Sequence, residues 1–495
     1  MDKPTINIST KNGVDYASVY TPYQISGRKQ NKLVYLGRVI DKAAGIYRNK
    51  TMGTYKYCLE TGEYTPLTNY EANPSLESPS AIFGDVFVAR QVLEDHGLLE
   101  LFRSADPVSP DTLTSYVIFR TISSLDDAQA LTWWEGTFAK ILTPLAQMDS
   151  PGLRACLSRL GELTVQTDFF KRYLARTTDG LRGNGILIDS PDPTPTSTQN
   201  LENAPSASNN RKDRIIQVID KKTRAPLFIK YVTGPIIYDD ILNETLAQLK
   251  TYNLSINMAV LDSNYYSQQC VTTLYRQSVP FFICLGFNSP HFNQLVDYTS
   301  DKIVHIKNMH IYNDSIYYIA PHQIDLFGHK GYAYAVIDSN RRQEETLQMV
   351  RSSGLGALSI DEQEEELKKC GFFLLISSNK LDPAELPPRL HRRIKDSLNL
   401  ELLNQTRRFR SLESDDDSVF RGHLFLSFLS SICGTNLKNK LKLLKLSNVE
   451  ALHSMHYMFC HKVGDKYMID KPTPKMKKIL NALGVNPPVF WPEVI

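Results

Sequence analysis

Residues 186–197 read ILIDSPDPTPTS, residues 209–249 read NNRKDRIIQVIDKKTRAPLFIKYVTGPIIYDDILNETLAQL, and residues 258–285 read MAVLDSNYYSQQCVTTLYRQSVPFFICL. Three short apolar runs lie in the first two stretches, at 186–188, 215–219 and 227–232. Short apolar runs rich in β-branched residues predict buried strands. Residues 241–250 read as a helix, 258–261 as a fourth strand, 267–277 as a second helix and 281–285 as a fifth strand. The resulting order, β-β-β-α-β-α-β, suits an α/β protein with a mixed sheet covered by helices. Two of the strands run into an acid, Asp189 and Asp262. A carboxylate at the end of a buried strand is costly unless it is paired or binds a cation. In a sheet of this order the first and fourth strands can be neighbours, which brings both carboxylates to one edge. Hard oxygen ligands of that kind suit Mg²⁺ or Mn²⁺. Such ions activate a water or a 3′-hydroxyl in phosphodiester transfer. The plainer alternative is that each Asp caps the turn or helix after it.

Upstream, residues 1–70 read as a small β-rich unit. Tyr16, Ser18, Tyr20 and the run 32–36 are β-prone, with Gly27, Gly45, Gly53 and Gly62 as turn formers. A Pro- and Ser-rich loop follows at 73–80. Residues 81–180 read as helical: Val86, Val92, Leu98 and Leu101 belong to apolar groups at helical spacing. Ser109-Pro110-Asp111 and Ser150-Pro151 are helix starts. Trp133 and Trp134 read as packing residues rather than ligand stackers. Residues 190–210, rich in Pro, Ser, Thr and Asn, read as a long loop between the first two strands.

Downstream, residues 290–370 read as an inserted β-rich subdomain, with strand-like runs at 303–306, 316–319 and 332–336 and a charged helix at 362–369. The core therefore divides into a first part, 181–289, and a second, 371–432, which opens on a buried strand at 372–376. Residues 433–495 read as a helical C-terminal tail.

The chain has 495 residues, 42% hydrophobic and 22% charged, the balance of a soluble globular protein with several domains. No apolar run approaches the roughly 18–20 residues that span a bilayer. The first residues, MDKPTINIST, lack the apolar stretch of a signal peptide, so the expected compartment is the cytoplasm. The seven cysteines are odd in number and form no CxxC pair, which argues against a disulfide framework and a zinc finger. A net charge of +3 is too small to indicate a nucleic-acid partner by itself. From Arg389 to Lys478, however, Lys and Arg are concentrated. Such a stretch can follow phosphates or simply form solvated helix faces.

The three opening stretches resemble the catalytic core of DDE-type transposases of bacterial insertion sequences, those of the insertion-sequence-four superfamily. In that family a strand ends in the first Asp, a strand pair leads to a Gly-Asn-x-x-Asp segment, and a further strand ends in Asp-x-Gly-Tyr-Tyr-Ser. Here Asp189 and Asp262 match the two acids, Gly234 and Asp239 lie in the middle segment, and Tyr265, Tyr266 and Ser267 follow the second acid. RGHLFLSFLSSI, residues 421–432, and the ending PKMKKILNALGV resemble the family's C-terminal helix and tail. The resemblance covers residues 80 to 490, with a weaker β-rich match before it. It implies an RNase H-like core whose acids bind Mg²⁺ or Mn²⁺, with 81–180 as a DNA-binding region. It implies an enzyme that binds double-stranded DNA at terminal inverted repeats, hydrolyses phosphodiesters there and joins the ends to target DNA. It also leaves open a homodimer on DNA.

The family carries its third acid in a Tyr-x-x-Arg-x-x-x-Glu helix. The corresponding region here, LPPRLHRRIKDSLNLELL, has no Glu in place. One alignment puts Lys395 there; the other matches Arg392 to the motif Arg and makes Asp396 the third ligand. Arg392, Arg393, Arg407 and Arg408 are the expected phosphate contacts. Pro235 replaces the family's Asn, and Asn264 its Gly. These departures equally fit a decayed or repurposed transposase that binds DNA without cutting it.

Overall fold

The computed structural model describes residues 4–11, 14–25, 28–42, 44–67, 80–106, 108–181, 185–189, 214–233, 237–285, 292, 302–351, 359–387 and 417–492. The chain is mixed α/β and divides into two units.

The smaller unit comprises Met1–Ala81, Met458–Lys471 and Pro487–Ile495. Its strands β1 (Thr5–Lys11), β2 (Val14–Ile25), β3 (Arg28–Asp41), β4 (Ile46–Asn49), β5 (Gly53–Tyr57) and β6 (Tyr64–Pro66) pair in sequence order as an antiparallel meander. Alternation puts Ala17, Val19, Leu36, Tyr47 and Tyr55 on one face as a core. The Tyr55 hydroxyl donates to the Leu36 carbonyl there, and burial pushes its pKa up to about 12. A further strand, β7 (Ser80–Ile82), joins Phe459–Val463, Lys466–Ile469 and Phe490–Trp491 in a small four-stranded sheet. These last three strands lie in the stretch read from sequence as a helical tail.

The larger unit comprises Ile82–Tyr457 and Pro472–Asn486. It opens with helices α1 (Gly84–Asp95), α2 (Leu98–Ala105), α3 (Pro110–Ile122), α4 (Ala130–Gly136), α5 (Ala139–Leu142), α6 (Ser150–Leu160) and α7 (Leu163–Leu181). Pro110 and Pro151 stand in the first turns of α3 and α6, where no intrahelical N–H is lost. Trp133 and Trp134 are buried.

Next come β8 (Ile186–Asp189), β9 (Arg214–Asp220), β10 (Pro226–Val232), α8 (Tyr238–Thr251), β11 (Ala259–Leu261), α9 (Gln268–Arg276), β12 (Phe281–Leu285), β13 (Met309–Tyr312), β14 (Ser315–Leu326), β15 (His329–Asp338), α10 (Ser339–Arg351), α11 (Ile360–Lys369) and β16 (Phe372–Ser377). The nine strands form one sheet in the order β10-β9-β8-β11-β12-β16-β15-β14-β13. Strand β9 runs against β8 and β10, whereas β8, β11 and β12 are mutually parallel. From β12 outward every pair is antiparallel. The β9–β10 turn is an Asx-type turn: Asp220 Oδ1 accepts from the Thr223 amide at 2.5 Å and the Lys222 amide at 3.1 Å.

Two further sequence expectations meet a different outcome. Residues 303–306 form no strand; Val304 and Ile306 are exposed, and Ile306–Asn308 is a 3-10 turn. A run of four apolar or aromatic residues is too short for periodicity to settle its state. Moreover, the strands of the 290–370 segment extend the same sheet, because β16 returns between β12 and β15.

The unit closes with α12 (Asp417–Leu441), α13 (Asn448–His456) and α14 (Pro474–Leu483). Helix α12 buries residues around its whole circumference, from Val419 to Leu441, which marks a central helix. Its Gly422 lies against the backbone of α6: a Cβ there would collide with the Leu157 carbonyl.

Candidate metal centre at two parallel strand ends

Strand β8 buries Ile186, Leu187 and Ile188 and then reaches half-buried Asp189; β11 buries Ala259, Val260 and Leu261 and then reaches half-buried Asp262. The two strands pair in parallel, Ile186 with Ala259, Leu187 with Val260 and Ile188 with Leu261. Asp189 and Asp262 are the next positions of that register. Neighbouring strands lie about 4.8 Å apart, and alternation points both acids to the face carrying Leu187 and Val260. That face holds the core formed with Ile219, Phe282, Tyr334 and Leu375. Asp262 also caps the following turn, accepting from the Asn264 amide at 2.7 Å. The capping role and the strand-end position thus coexist, as one carboxylate oxygen suffices for the cap.

The middle segment reaches the same neighbourhood. Asp239, in the first turn of α8, accepts from the Thr273 hydroxyl of α9 at 3.2 Å. Ser267 caps α9 by accepting from the Cys270 amide at 3.1 Å. Burial pushes the Cys270 thiol up to about 11, against the lowering effect of the Ser267 hydroxyl, with Asp239 and Asp262 adding negative potential. Tyr265 is fully buried and meets the Tyr238 ring edge-on at 5.4 Å. Desolvation raises the Tyr266 pKa to about 12.

Gln217 was not singled out from sequence. It stands opposite Asp189 in the β8–β9 register, so its side chain shares the face of the acids. It is 5% exposed, and its side-chain nitrogen has no hydrogen-bond partner among the described residues. An unsatisfied buried donor costs about 1–3 kcal/mol. The signal was present: Gln217 is the one polar residue inside the apolar run IIQVI.

Asp396, Arg392, Arg393, Arg407 and Arg408 lie outside the described residues, as do Gly234 and Pro235. Among the described residues no three His, Cys, Asp or Glu side chains are grouped to hold a metal ion. Asp189 and Asp262, at the ends of two paired strands, are the carboxylates that could hold a hard cation such as Mg²⁺ or Mn²⁺.

A second polar region lies among α3, α12 and their neighbours. Arg120, with its side chain 5% exposed, donates to both oxygens of Asp127, at 3.2 and 2.6 Å, and approaches His423 Nδ1 at 3.0 Å. Burial, reinforced by the Arg120 charge, pulls the His423 pKa down to about 3. Nearby, a cavity of about 500 Å³ is lined by Asp85, Gln217, Phe228, Asn448 and His456 among others. Asp85 and His456 pair at 2.8 Å across it, which raises the His456 pKa. No helix among the described residues is long and apolar enough to cross a membrane. Comparison with protein-family models finds no match to this chain, and comparison with curated proteins finds none either.

Proposed function

We propose that the chain is a DDE-type transposase of an insertion sequence, with an RNase H-like core. One observation carries the reading: β8, which ends in Asp189, and β11, which Asp262 follows directly, are neighbouring parallel strands. The strand order β10-β9-β8-β11-β12, with β9 alone running against the rest, supports the same core. The substrate is double-stranded DNA, at terminal inverted repeats and at a target site, and the setting is the cytoplasm. Asp189 and Asp262, with Asp396 as third ligand, would hold Mg²⁺ or Mn²⁺. That ion's chemistry is to sharpen an attacking oxygen and steady a leaving one. The buried Gln217 amide would donate to a substrate or water oxygen beside Asp189. Arg392, Arg393, Arg407 and Arg408 would contact phosphates and hold the scissile bond in register.

The test is a Mg²⁺-dependent cleavage assay on DNA carrying the gene's own flanking sequence. Cleavage by the wild type, lost in Asp189→Asn, Asp262→Asn and Asp396→Asn, supports the reading. Cleavage that survives Asp396→Asn removes that residue from the site. The second reading, a decayed transposase that binds DNA without cutting, is favoured by Lys395, since a charged lysine cannot ligate a metal. It requires a wild type that binds the DNA and leaves it intact.

A further inference from the structure

The meander of the smaller unit has a second face, opposite its core, that carries an unusual row. Register places Ser9 beside Tyr16, Tyr16 beside Arg38, Arg38 beside Arg48, and Arg48 beside Thr54. Ser18 and Tyr35 form the adjacent row, and Tyr20 and Leu33 the next. Tyr35 is 57% and Leu33 56% exposed. The Tyr16 and Tyr35 rings lie nearly parallel, 22° apart in plane and 6.4 Å between centroids. Arg38 and Arg48 are exposed. The Arg48 guanidinium is held by a 2.7 Å bond to the Thr54 hydroxyl. Asp41, paired near this face at the end of β3, is occupied by the Ala44 amide at 2.9 Å.

Two features need explaining. Like charges directly opposite in a sheet destabilise it, yet Arg38 faces Arg48. Large aromatic and aliphatic side chains stand in solvent beside them. Both are accounted for by one occupant: a flexible polyanion with planar groups, whose phosphates lie between the guanidinium groups and whose bases stack on the rings. We propose that this face binds single-stranded DNA. An aromatic platform flanked by positive charge is the general solution for that ligand, because every base has a π-face. Duplex DNA keeps its bases stacked inside and offers the rings nothing.

The experiment is fluorescence anisotropy of the full chain with a labelled single-stranded thymidine oligonucleotide, in EDTA so that cleavage plays no part. The wild type should bind, more tightly than it binds a random duplex of the same length. Tyr35→Ala should weaken binding about tenfold, while Tyr35→Phe keeps the stacking ring and should bind like the wild type. Arg38→Ala with Arg48→Ala should lower the slope of affinity against salt, by about 0.7 for each phosphate of the single strand that is no longer neutralised. Equal affinity for duplex and single strand, or Tyr35→Ala binding unchanged, overturns the proposal. Because binding is read without metal, its failure leaves the catalytic reading of Asp189 and Asp262 untouched, and the reverse.

Discussion

Two polar groupings in the larger unit contrast sharply. In the buried cluster of α3 and α12, each charge is answered by a side chain: Arg120 by Asp127, with His423 held neutral beside it. At the strand ends, two acids of the same sign close neighbouring parallel strands, and the buried Gln217 nitrogen opposite Asp189 finds no partner among the described residues. The first arrangement is what a fold needs in order to bury polarity. The second sets two acids of one sign at the ends of neighbouring strands, and the proposed cation site starts from that arrangement. Stability measurements should separate the two regions by the size of the effect.

The largest effect belongs to the buried cluster. Arg120→Ala strands Asp127 and should cost about 3 kcal/mol in guanidinium denaturation, the low end for breaking a buried pair. The low end applies because Asp127 keeps 22% of its side chain exposed. A loss below ~1 kcal/mol would remove the contrast from the structural side. Next, Gly422→Ala forces α6 and α12 apart at the Leu157 carbonyl and should cost about 1–3 kcal/mol, as overpacking does.

The pH dependence follows from His423. Its folded pKa, about 3, lies below the ordinary histidine value, so between those values the unfolded chain binds the extra proton. Stability should fall as pH drops from 6.5 toward 3, by at most about 1.4 kcal/mol per unit from this group. His423→Gln should flatten that slope in denaturation curves taken at pH 7, 6 and 5. An unchanged slope would mean that other groups dominate acid sensitivity.

Much of this was legible in the sequence where chemistry and pattern coincide. Asp189 and Asp262 stood out because each ends an apolar run, and those runs give the order of strands along the chain. Gln217 carried an equal signal, a polar residue in a buried strand, but its meaning depends on the β8–β9 register, which no local pattern reveals. Residues 303–306 misled because four residues carry no decisive period. The strand Phe459–Val463 was hidden because the polar pair His461 and Lys462 interrupts its apolar residues without a period of two. The Arg120–His423 pair joins residues 303 positions apart, and only packing of α3 against α12 brings them together.

The smallest stability effect is expected at the strand ends. With metal absent, Asp189→Asn is nearly isosteric and should change stability by no more than ~1 kcal/mol. With Mg²⁺ added, the wild type should gain melting temperature and the variant should not, because only the folded wild-type site binds the ion.

The central claim, that these two carboxylates form a cation site, is tested most directly by calorimetric titration of the full chain with Mn²⁺ in the absence of DNA. The account predicts saturable binding in the wild type that disappears in both Asp189→Asn and Asp262→Asn. Identical binding isotherms for the wild type and the two variants would contradict it.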